Sequence, residues 1–291
     1  MDKVKVKYRY HKALSCLCDL LKDDLFADNL DDSGKYIYRN HFHAISLLVN
    51  GYEYYGDQKF KSIYKKLLDN IDKQLFTKSN ALVFIHDDQF FNIWNAWLSI
   101  IMYKIMDIDR STLLIKMLLE SFNENSVNNV NTNVLGEFLI SLLLLQNYDE
   151  YENTIFLLTD RITKHISYNP ADIWSIKFLL NSNEPLWSIR LLNKNKEIVK
   201  CLDKHLMHFS KLSVRVTTSL VAGLIQEVYL TNDRVSEEVF EHQSNLQTYN
   251  GHFRRNLKSE ETRLDYLLSN ISALEKTLKF LECGRIRATD F

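Results

Sequence analysis

Residues 90–122 read FFNIWNAWLSIIMYKIMDIDRSTLLIKMLLESF, and this stretch is the most informative part of the sequence about the fold. Its first half, as far as Met106, is apolar nearly all round, and a helix of that kind must be buried on all sides. Its second half, from Thr112, repeats apolar residues at helical spacing beside charged ones, which is typical of an amphipathic outer helix. An aspartate in the turn between them, MDIDRS, can cap the second helix. The stretch therefore predicts a hairpin of an inner and an outer helix.

The same pattern recurs along the chain. Further polar turns lie at 54–60, 146–151, 182–187 and 230–235. Helical periodicity covers the ranges 12–26, 42–55, 60–76, 90–106, 112–122, 134–145, 151–166, 171–180, 197–209, 214–230, 236–246 and 263–281. No strand alternation is long enough to compete with it. Six inner and six outer helices predict an all-α chain, with residues 1–291 forming a single (α/α)6 toroid domain. An open solenoid of α-hairpins is the alternative, although such arrays usually have a more regular period.

Composition supports a large helical core. Hydrophobic residues make up 46% of the 291 residues and aromatic residues 12%, which is enough to bury a substantial interior. Glycine occurs 7 times and proline 2 times, far below average usage. Because sheet proteins need both residues at their turns, this scarcity favours long helices joined by polar turns.

Charge and segment composition limit the partners and the location. A formal charge of −1 gives no overall attraction to nucleic acid or acidic lipid, so neither nucleic acid nor a membrane is an expected partner. The start, MDKVKVKYRYHKAL, lacks the apolar core of a secretion signal, and apolar runs such as LGEFLISLLLL are about half a membrane span. We therefore expect a cytoplasmic protein whose four cysteines, Cys16, Cys18, Cys201 and Cys283, are unpaired.

Three stretches resemble a known superfamily. RNHFHAISLLVNGYEYYGDQKF (39–60) resembles the helix-turn-helix unit of the (α/α)6-toroid carbohydrate-active proteins, which include N-acylglucosamine epimerase-like and bacterial mannanase-like six-hairpin proteins. HDDQFFNIWNAWLSIIMYKI (86–105) resembles their inner helices that open with paired aspartates and carry tryptophans. GHFRRNLKSEETRLDYLLSNISAL (251–274) is similar to their final hairpin. The resemblance implies the toroid fold and a carbohydrate-active enzyme of the glycoside hydrolase or sugar epimerase type.

A toroid brings the starts of its inner helices to one funnel, so polar residues just before the apolar runs are expected to converge there. Carboxylates, histidines and flat aromatic rings together suit a saccharide, which stacks on the rings and bonds to the polar groups. The candidate catalytic residues are Asp87, Asp88, Asp265 and His43. The candidate substrate-binding residues are Arg39, His41, Trp94, Trp97, Glu261, Arg263 and Tyr266.

Each of these candidates also has a structural interpretation. Asp87 or Asp88 can be a helix N-cap, although glycoside hydrolysis needs two carboxylates and the pair could supply one of them. His43 can be a general base or a structural histidine. Arg263 and Asp265 can bind a ligand or form a salt bridge that closes the ring. The alternative to an enzyme is therefore a non-catalytic scaffold of helical hairpins that binds a protein partner.

Metal and cofactor sites have little support in the sequence. Cys201, His205 and His208 share one helix face at i, i+4 and i+7, but neither C-x-x-C nor H-E-x-x-H accompanies them. The phosphate-binding glycine motifs and the G-x-S-x-G elbow are absent as well. We therefore expect no metal and no cofactor.

Overall fold

The computed structural model describes residues 1–22, 25–26, 38–72, 76–78, 81–83, 93–121, 138–139, 141–143, 148–165, 219–228 and 233–284. Within these ranges the helices are α1 (Lys3–Asp19), α2 (Tyr38–Tyr55), α3 (Gln58–Asp72), α4 (Ile93–Lys104), α5 (Ile108–Ser121), α6 (Tyr148–His165), α7 (Ser219–Val228), α8 (Asp233–Leu246) and α9 (Leu264–Cys283). The strands β1 (Leu21–Lys22) and β2 (Leu25–Phe26) pair antiparallel, and so do β3 (Phe76–Lys78) and β4 (Ala81–Val83).

Two of the predicted helices end earlier than expected. The range 12–26 was predicted to be helical throughout, but α1 stops at Asp19 and Leu21 pairs with Phe26 in the first small hairpin. The range 60–76 was likewise predicted as one helix, but α3 stops at Asp72 and Phe76 pairs with Val83. Apolar residues just beyond a helix continue its periodicity whether the backbone stays helical or not, so the pattern alone does not locate these ends.

Contacts divide the chain into two units. The terminal unit joins Met1–Asn70 to Phe209–Ile286, and the middle unit joins Ile71–His208 to Arg287–Phe291. In the terminal unit α9 is the central helix, because α1, α2 and α7 all pack against it. In the middle unit α4 packs on α5. The single-domain organisation stays a prediction.

The middle unit contains the hairpin predicted from residues 90–122. The described side chains of α4 are buried up to Met102, whereas α5 exposes Asp109, Lys116 and Glu120. Asp107 caps α5, because its Oδ1 accepts the backbone N–H of Arg110 at 3.2 Å. The Ser111 hydroxyl donates to the carbonyl of Ser99 at 2.8 Å and ties the two helices together. The predicted pairing of an inner with an outer helix is therefore confirmed here.

The terminal unit contains the contact on which ring closure depends. Helix α1, the first of the chain, packs against α9, the last described helix, as predicted. The predicted pairing put residues 12–21 beside 272–281, but the helices run antiparallel. Lys3 Nζ lies 3.0 Å from Glu282 Oε1 at one end. At the other end Lys12 lies against Gly251, which precedes α9.

The structure also bears on the expectations of unpaired cysteines and of no membrane-spanning helix. Cys16, Cys18 and Cys283 are free, which confirms the prediction for these three, and Cys201 lies outside the described residues. Among the helices in the described ranges, each is too short or too polar to cross a bilayer.

Candidate functional site

The starts of α7 and α9 lie at one end of the terminal unit. The segment between α8 and α9 folds back on itself, with isolated bridges from Gln247 to Phe253 and from Arg254 to Thr262. It also contacts α7, because the backbone N–H of Ser219 donates to the carbonyl of Arg255 at 2.8 Å. Side chains at the beginning of α9 are therefore held beside the beginning of a second buried helix, as expected where inner helices meet.

A bidentate ion pair occupies the start of α9. Arg263 Nε lies 3.0 Å from Asp265 Oδ1, and Arg263 Nη2 lies 2.8 Å from Asp265 Oδ2. Asp265 Oδ1 also accepts the backbone N–H of Tyr266 at 3.0 Å, and its charge is favoured at the positive end of the helix dipole. The two side chains are 21% and 23% exposed, so the pair is reachable from solvent. The salt bridge considered for these two residues is therefore formed, within the start of α9 itself. Its roles in closing the ring and in binding a ligand stay predictions.

Tyr266 lies beneath this pair. The guanidinium carbon of Arg263 is 4.9 Å from the centre of the tyrosine ring, within the range of a cation–π contact. The residue is only 4% exposed, and burial raises the pKa of its hydroxyl. Arg263 therefore covers one face of the Tyr266 ring.

A second ion pair borders the first. Arg255 Nη1 lies 3.3 Å from Glu261 Oε2, and both side chains are exposed. The backbone N–H of Arg255 donates to the carbonyl of Glu261 at 2.8 Å, which fixes the two residues opposite each other. Arg255, Glu261, Arg263, Asp265 and Tyr266 together are called the α9 cap below. It combines two cations, two carboxylates and one aromatic ring, so it can bond to hydroxyl groups as donor and as acceptor.

A buried amide anchors the α9 cap from below. Asn270 Nδ2 donates to the carbonyl of Ser219 at 3.0 Å and to the carbonyl of Tyr266 at 2.7 Å. Its Oδ1 accepts from Gln243 Nε2 at 2.9 Å, which adds α8 to the network. Asn270 is not among the residues predicted from the sequence, because a lone asparagine in an apolar helix carries no motif. Its placement one turn after Tyr266 was the available signal.

The histidine candidates lie on α2. His41 is buried and His43 is half-buried, in accordance with their two-residue spacing, which turns them to different sides of the helix. Arg39 is the second residue of α2, and its side chain lies outside the described residues. Within the described ranges, groups of three or more histidine, cysteine or acidic residues suited to a metal ion are absent.

The remaining candidates belong to the middle unit. Trp97 is buried in α4, and Trp94 is on the same helix with a side chain outside the described residues. Asp87 and Asp88 lie outside the described residues, as do Cys201, His205 and His208. The expected meeting of the aspartate pair with Asp265 therefore stays a prediction.

No protein-family model and no curated protein sequence matches the chain. Solved structures match it over nearly its whole length. A protein from Listeria innocua is 12% identical with a TM-score of 0.71, over 96% of this chain and 98% of its own. The GH76A alpha-1,6-mannanase from Salegentibacter sp. HEL1_6 is 14% identical with a TM-score of 0.65, over 95% and 99%. A D-mannose isomerase is 13% identical with a TM-score of 0.65, over 96% and 98%.

These similarities confirm the predicted fold. The chain has an all-α fold with the (α/α)6-toroid architecture of these structures. The same Salegentibacter mannanase was also solved as an inactive variant, with two consecutive aspartates replaced by asparagine, in complex with alpha-1,6-mannotriose. That variant is 13% identical to this chain with a TM-score of 0.63, over 96% of this chain and 99% of its own. At such identities the comparison shows the fold alone.

Proposed function

We propose that this protein is a carbohydrate-active enzyme of the glycoside hydrolase or sugar epimerase type. The observation that carries the proposal is the full-length similarity to a mannanase and to a mannose isomerase. Both of those proteins are named for chemistry on mannose, and both are covered almost completely by this chain. Fold alone does not determine an activity, so the residues that would perform each reaction are proposed separately.

For hydrolysis, the Asp87–Asp88 pair is proposed to supply one catalytic carboxyl group, with Asp265 as a candidate for its partner. Cleavage of a glycosidic bond generally needs one carboxyl group as an acid and another as a base or nucleophile. Support comes from the inactive mannanase variant, in which two consecutive aspartates were replaced. Asp265 is proposed as a further carboxylate that faces the saccharide, because its side chain is partly exposed beside the Arg263 guanidinium.

For epimerisation or isomerisation, the proposed base is His43. Those reactions remove a proton from a carbon next to a carbonyl group, and an imidazole titrates in the range that suits this step at neutral pH. His43 is half-buried, so one face of α2 can present it to a bound sugar. The two reaction types therefore depend on different residues, which makes them separable by mutation.

Saccharide binding is proposed for Arg39, His41, Trp94, Trp97, Glu261, Arg263 and Tyr266. Arg263 and Glu261 are suited to bond to sugar hydroxyl groups from the α9 cap, where both are accessible. Tyr266 would supply a stacking surface once Arg263 has turned from its ring. Binding would then replace one contact of Arg263 by another and leave its charge paired with Asp265.

The two reactions can be tested side by side. Purified protein is incubated with alpha-1,6-mannotriose, and separately with D-mannose, and the products are separated by chromatography. Replacing Asp87 or Asp88 by asparagine is expected to lower hydrolysis by several orders of magnitude, whereas His43→Gln is expected to do so for isomerisation. Asp109→Asn is the matched control, since Asp109 is an exposed aspartate at the start of α5. Equal activity of all the variants would exclude these assignments.

A further inference from the structure

An exposed aromatic and basic surface lies on α1, apart from every residue proposed above. Tyr8 is 65% exposed and Tyr249, from the turn after α8, is 92% exposed. Lys5, Tyr8 and Lys12 follow one another at i, i+3 and i+7, so they share one face of α1. These three residues and Tyr249 are called the α1 face. Two large rings this exposed beside each other are unusual on the surface of a soluble protein.

A glycine with a left-handed backbone holds Tyr249 in this position. Gly251 has φ +94°, and a Cβ added there would lie 2.7 Å from the carbonyl oxygen of Lys12. The turn itself is closed by two backbone hydrogen bonds, from Thr248 N–H to the His252 carbonyl at 2.9 Å and from Gly251 N–H to the Thr248 carbonyl at 3.1 Å. Only glycine combines this φ with so close an approach. The turn is therefore seated on α1, and Tyr249 is fixed beside the helix.

A single ammonium group connects the two rings. Lys12 Nζ lies 5.9 Å from the ring centre of Tyr8 and 5.2 Å from that of Tyr249. Each of these rings can be approached by a ligand on the side away from Lys12, because both residues are largely exposed. A flat molecule that stacks on either ring would therefore also lie within reach of the Lys12 charge.

The two lysines of the α1 face have no ion-pair partner among the described residues. Neither Lys5 nor Lys12 forms an ion pair with a carboxylate in the described ranges, whereas Lys3 pairs with Glu282 at 3.0 Å. Lys7 points elsewhere, with its Nζ 5.2 Å from the ring centre of Tyr54. The α1 face thus has two available positive charges, which favours a ligand with a small number of negative groups.

We propose that the α1 face binds an anionic saccharide, one that carries carboxylate or sulfate groups. The rings would stack on the apolar faces of the sugar units, and Lys5 and Lys12 would pair with its charges. Nucleic acid is the less suitable occupant, because it carries one phosphate per nucleotide and its binding sites use more cations than two. The inference rests on the proposed function in one respect, namely that the chain handles saccharides.

The test is affinity electrophoresis of the whole protein in gels that contain polygalacturonate, chondroitin sulfate or neutral mannan. The wild type is expected to be retarded by at least one acidic polymer, more strongly than by mannan, and less so as salt is added. The double variant Tyr8→Ala, Tyr249→Ala is expected to bind roughly ten-fold more weakly. Lys5→Gln with Lys12→Gln should lose the preference for acidic polymers. Phe156→Ala and Lys65→Gln are matched controls, an exposed aromatic and an exposed lysine on other helices.

The outcomes separate this inference from the proposed function. Equal retardation of the wild type and of both double variants would overturn the proposed role of the α1 face. It would leave saccharide binding at the proposed catalytic site intact. Tighter binding of a single-stranded oligodeoxythymidine than of either acidic polymer, lost in the same variants, would assign the surface to nucleic acid and overturn the proposal. If neither acidic polymer retards the wild type, the proposal is also overturned. The proposed function fails on different evidence, the lack of any turnover or binding of neutral sugars, and the four substitutions should leave that turnover unchanged.

Discussion

Lys276 and Glu227 form a buried ion pair between α9 and α7. Lys276 Nζ lies 2.8 Å from Glu227 Oε2, and the two side chains are 4% and 2% exposed. Two charges so far from water stabilise a fold only as a pair, since each alone would pay the full cost of desolvation. The contact therefore joins α9, which begins at the α9 cap, to α7, whose first residue Ser219 is hydrogen-bonded to Arg255 of that cap.

Removing one charge of this pair should be costly. Glu227→Gln or Lys276→Met is expected to lower the free energy of unfolding by about 3–5 kcal/mol, because the remaining charge stays buried without its partner. Urea denaturation measures the change. The double variant Glu227→Met, Lys276→Met should recover most of it. The exposed pair of Lys59 and Asp19 is the control, and Lys59→Ala should change stability by less than about 1 kcal/mol. An equally small loss of unfolding free energy at the buried and the exposed pair would contradict the stabilising role of Lys276 and Glu227.

Two glycines with positive φ should respond differently to alanine. Gly56 has φ +68° and a Cβ added to it would meet nothing within 4 Å, so Gly56→Ala is expected to cost about 1–2 kcal/mol for the left-handed backbone alone. Gly251→Ala is expected to cost clearly more, because the same kind of strain is joined by overlap with the Lys12 carbonyl and with Cys16. Thermal denaturation of the two variants tests the order. Equal costs would show that the turn can withdraw from α1 without penalty.

The Arg263–Asp265 pair gives a prediction that separates structure from function. Asp265→Asn keeps the shape of the side chain but removes its charge, and the expected loss of stability is about 1–2 kcal/mol for a partly exposed, bidentate pair. Turnover of this variant is measured at a temperature where it is still folded. If Asp265 also faces the saccharide, turnover falls by far more than the loss of stability can explain. Asp19→Asn, in the exposed pair with Lys59 and outside the proposed site, is the matched control. An activity that falls only in step with the folded fraction would leave Asp265 a purely structural role.

Burial of two thiols makes stability depend on alkaline pH. It raises the pKa of Cys16 and that of Cys18 from 9.0 to about 12. The contribution of these two thiols to the free energy of unfolding is fully present below pH 9, where the thiols of the unfolded chain are protonated too. It declines as pH rises from 9 towards 12, because the unfolded chain then releases protons that the folded chain retains. Urea denaturation across this interval should show a smaller decline for Cys16→Ala, Cys18→Ala than for the wild type. The control is Cys283→Ser, since Cys283 is exposed. An identical decline in all three proteins would contradict the assignment.

Much of the fold follows from hydrophobic periodicity, because the pattern reports which face of a helix is buried. The α4–α5 hairpin is visible in residues 90–122, and its capping aspartate is where the turn places it. Long-range partners are not visible in the same way. Glu275 and Lys276 have the composition of an exposed helix face, yet both are buried. Their partners, Asn50 at 2.8 Å and Glu227 at 2.8 Å, come from distant parts of the chain.

In the candidate site, too, local contacts can be predicted from the sequence and long-range contacts cannot. The close spacing of Arg263 and Asp265 makes their pairing predictable from the sequence, since residues two apart at a helix start can meet. The covering of Tyr266 by Arg263 is less predictable, because it depends on the rotamer that the pair with Asp265 imposes. The seating of Tyr249 beside Tyr8 is not predictable at all from local pattern. It depends on the contact of Gly251 with Lys12, and these residues are far apart along the chain.

Asp87 and Asp88 are proposed to contribute the catalytic carboxyl group with which this chain acts on a saccharide. The most direct test compares the wild type with the double variant Asp87→Asn, Asp88→Asn on one panel of labelled oligosaccharides that includes alpha-1,6-mannotriose. Binding is followed by calorimetry and turnover by product analysis. We expect the wild type to bind and convert at least one member, and the double variant still to bind it but no longer to convert it. A wild type that binds no member of the panel, or a double variant that converts its substrate at the wild-type rate, would contradict the claim.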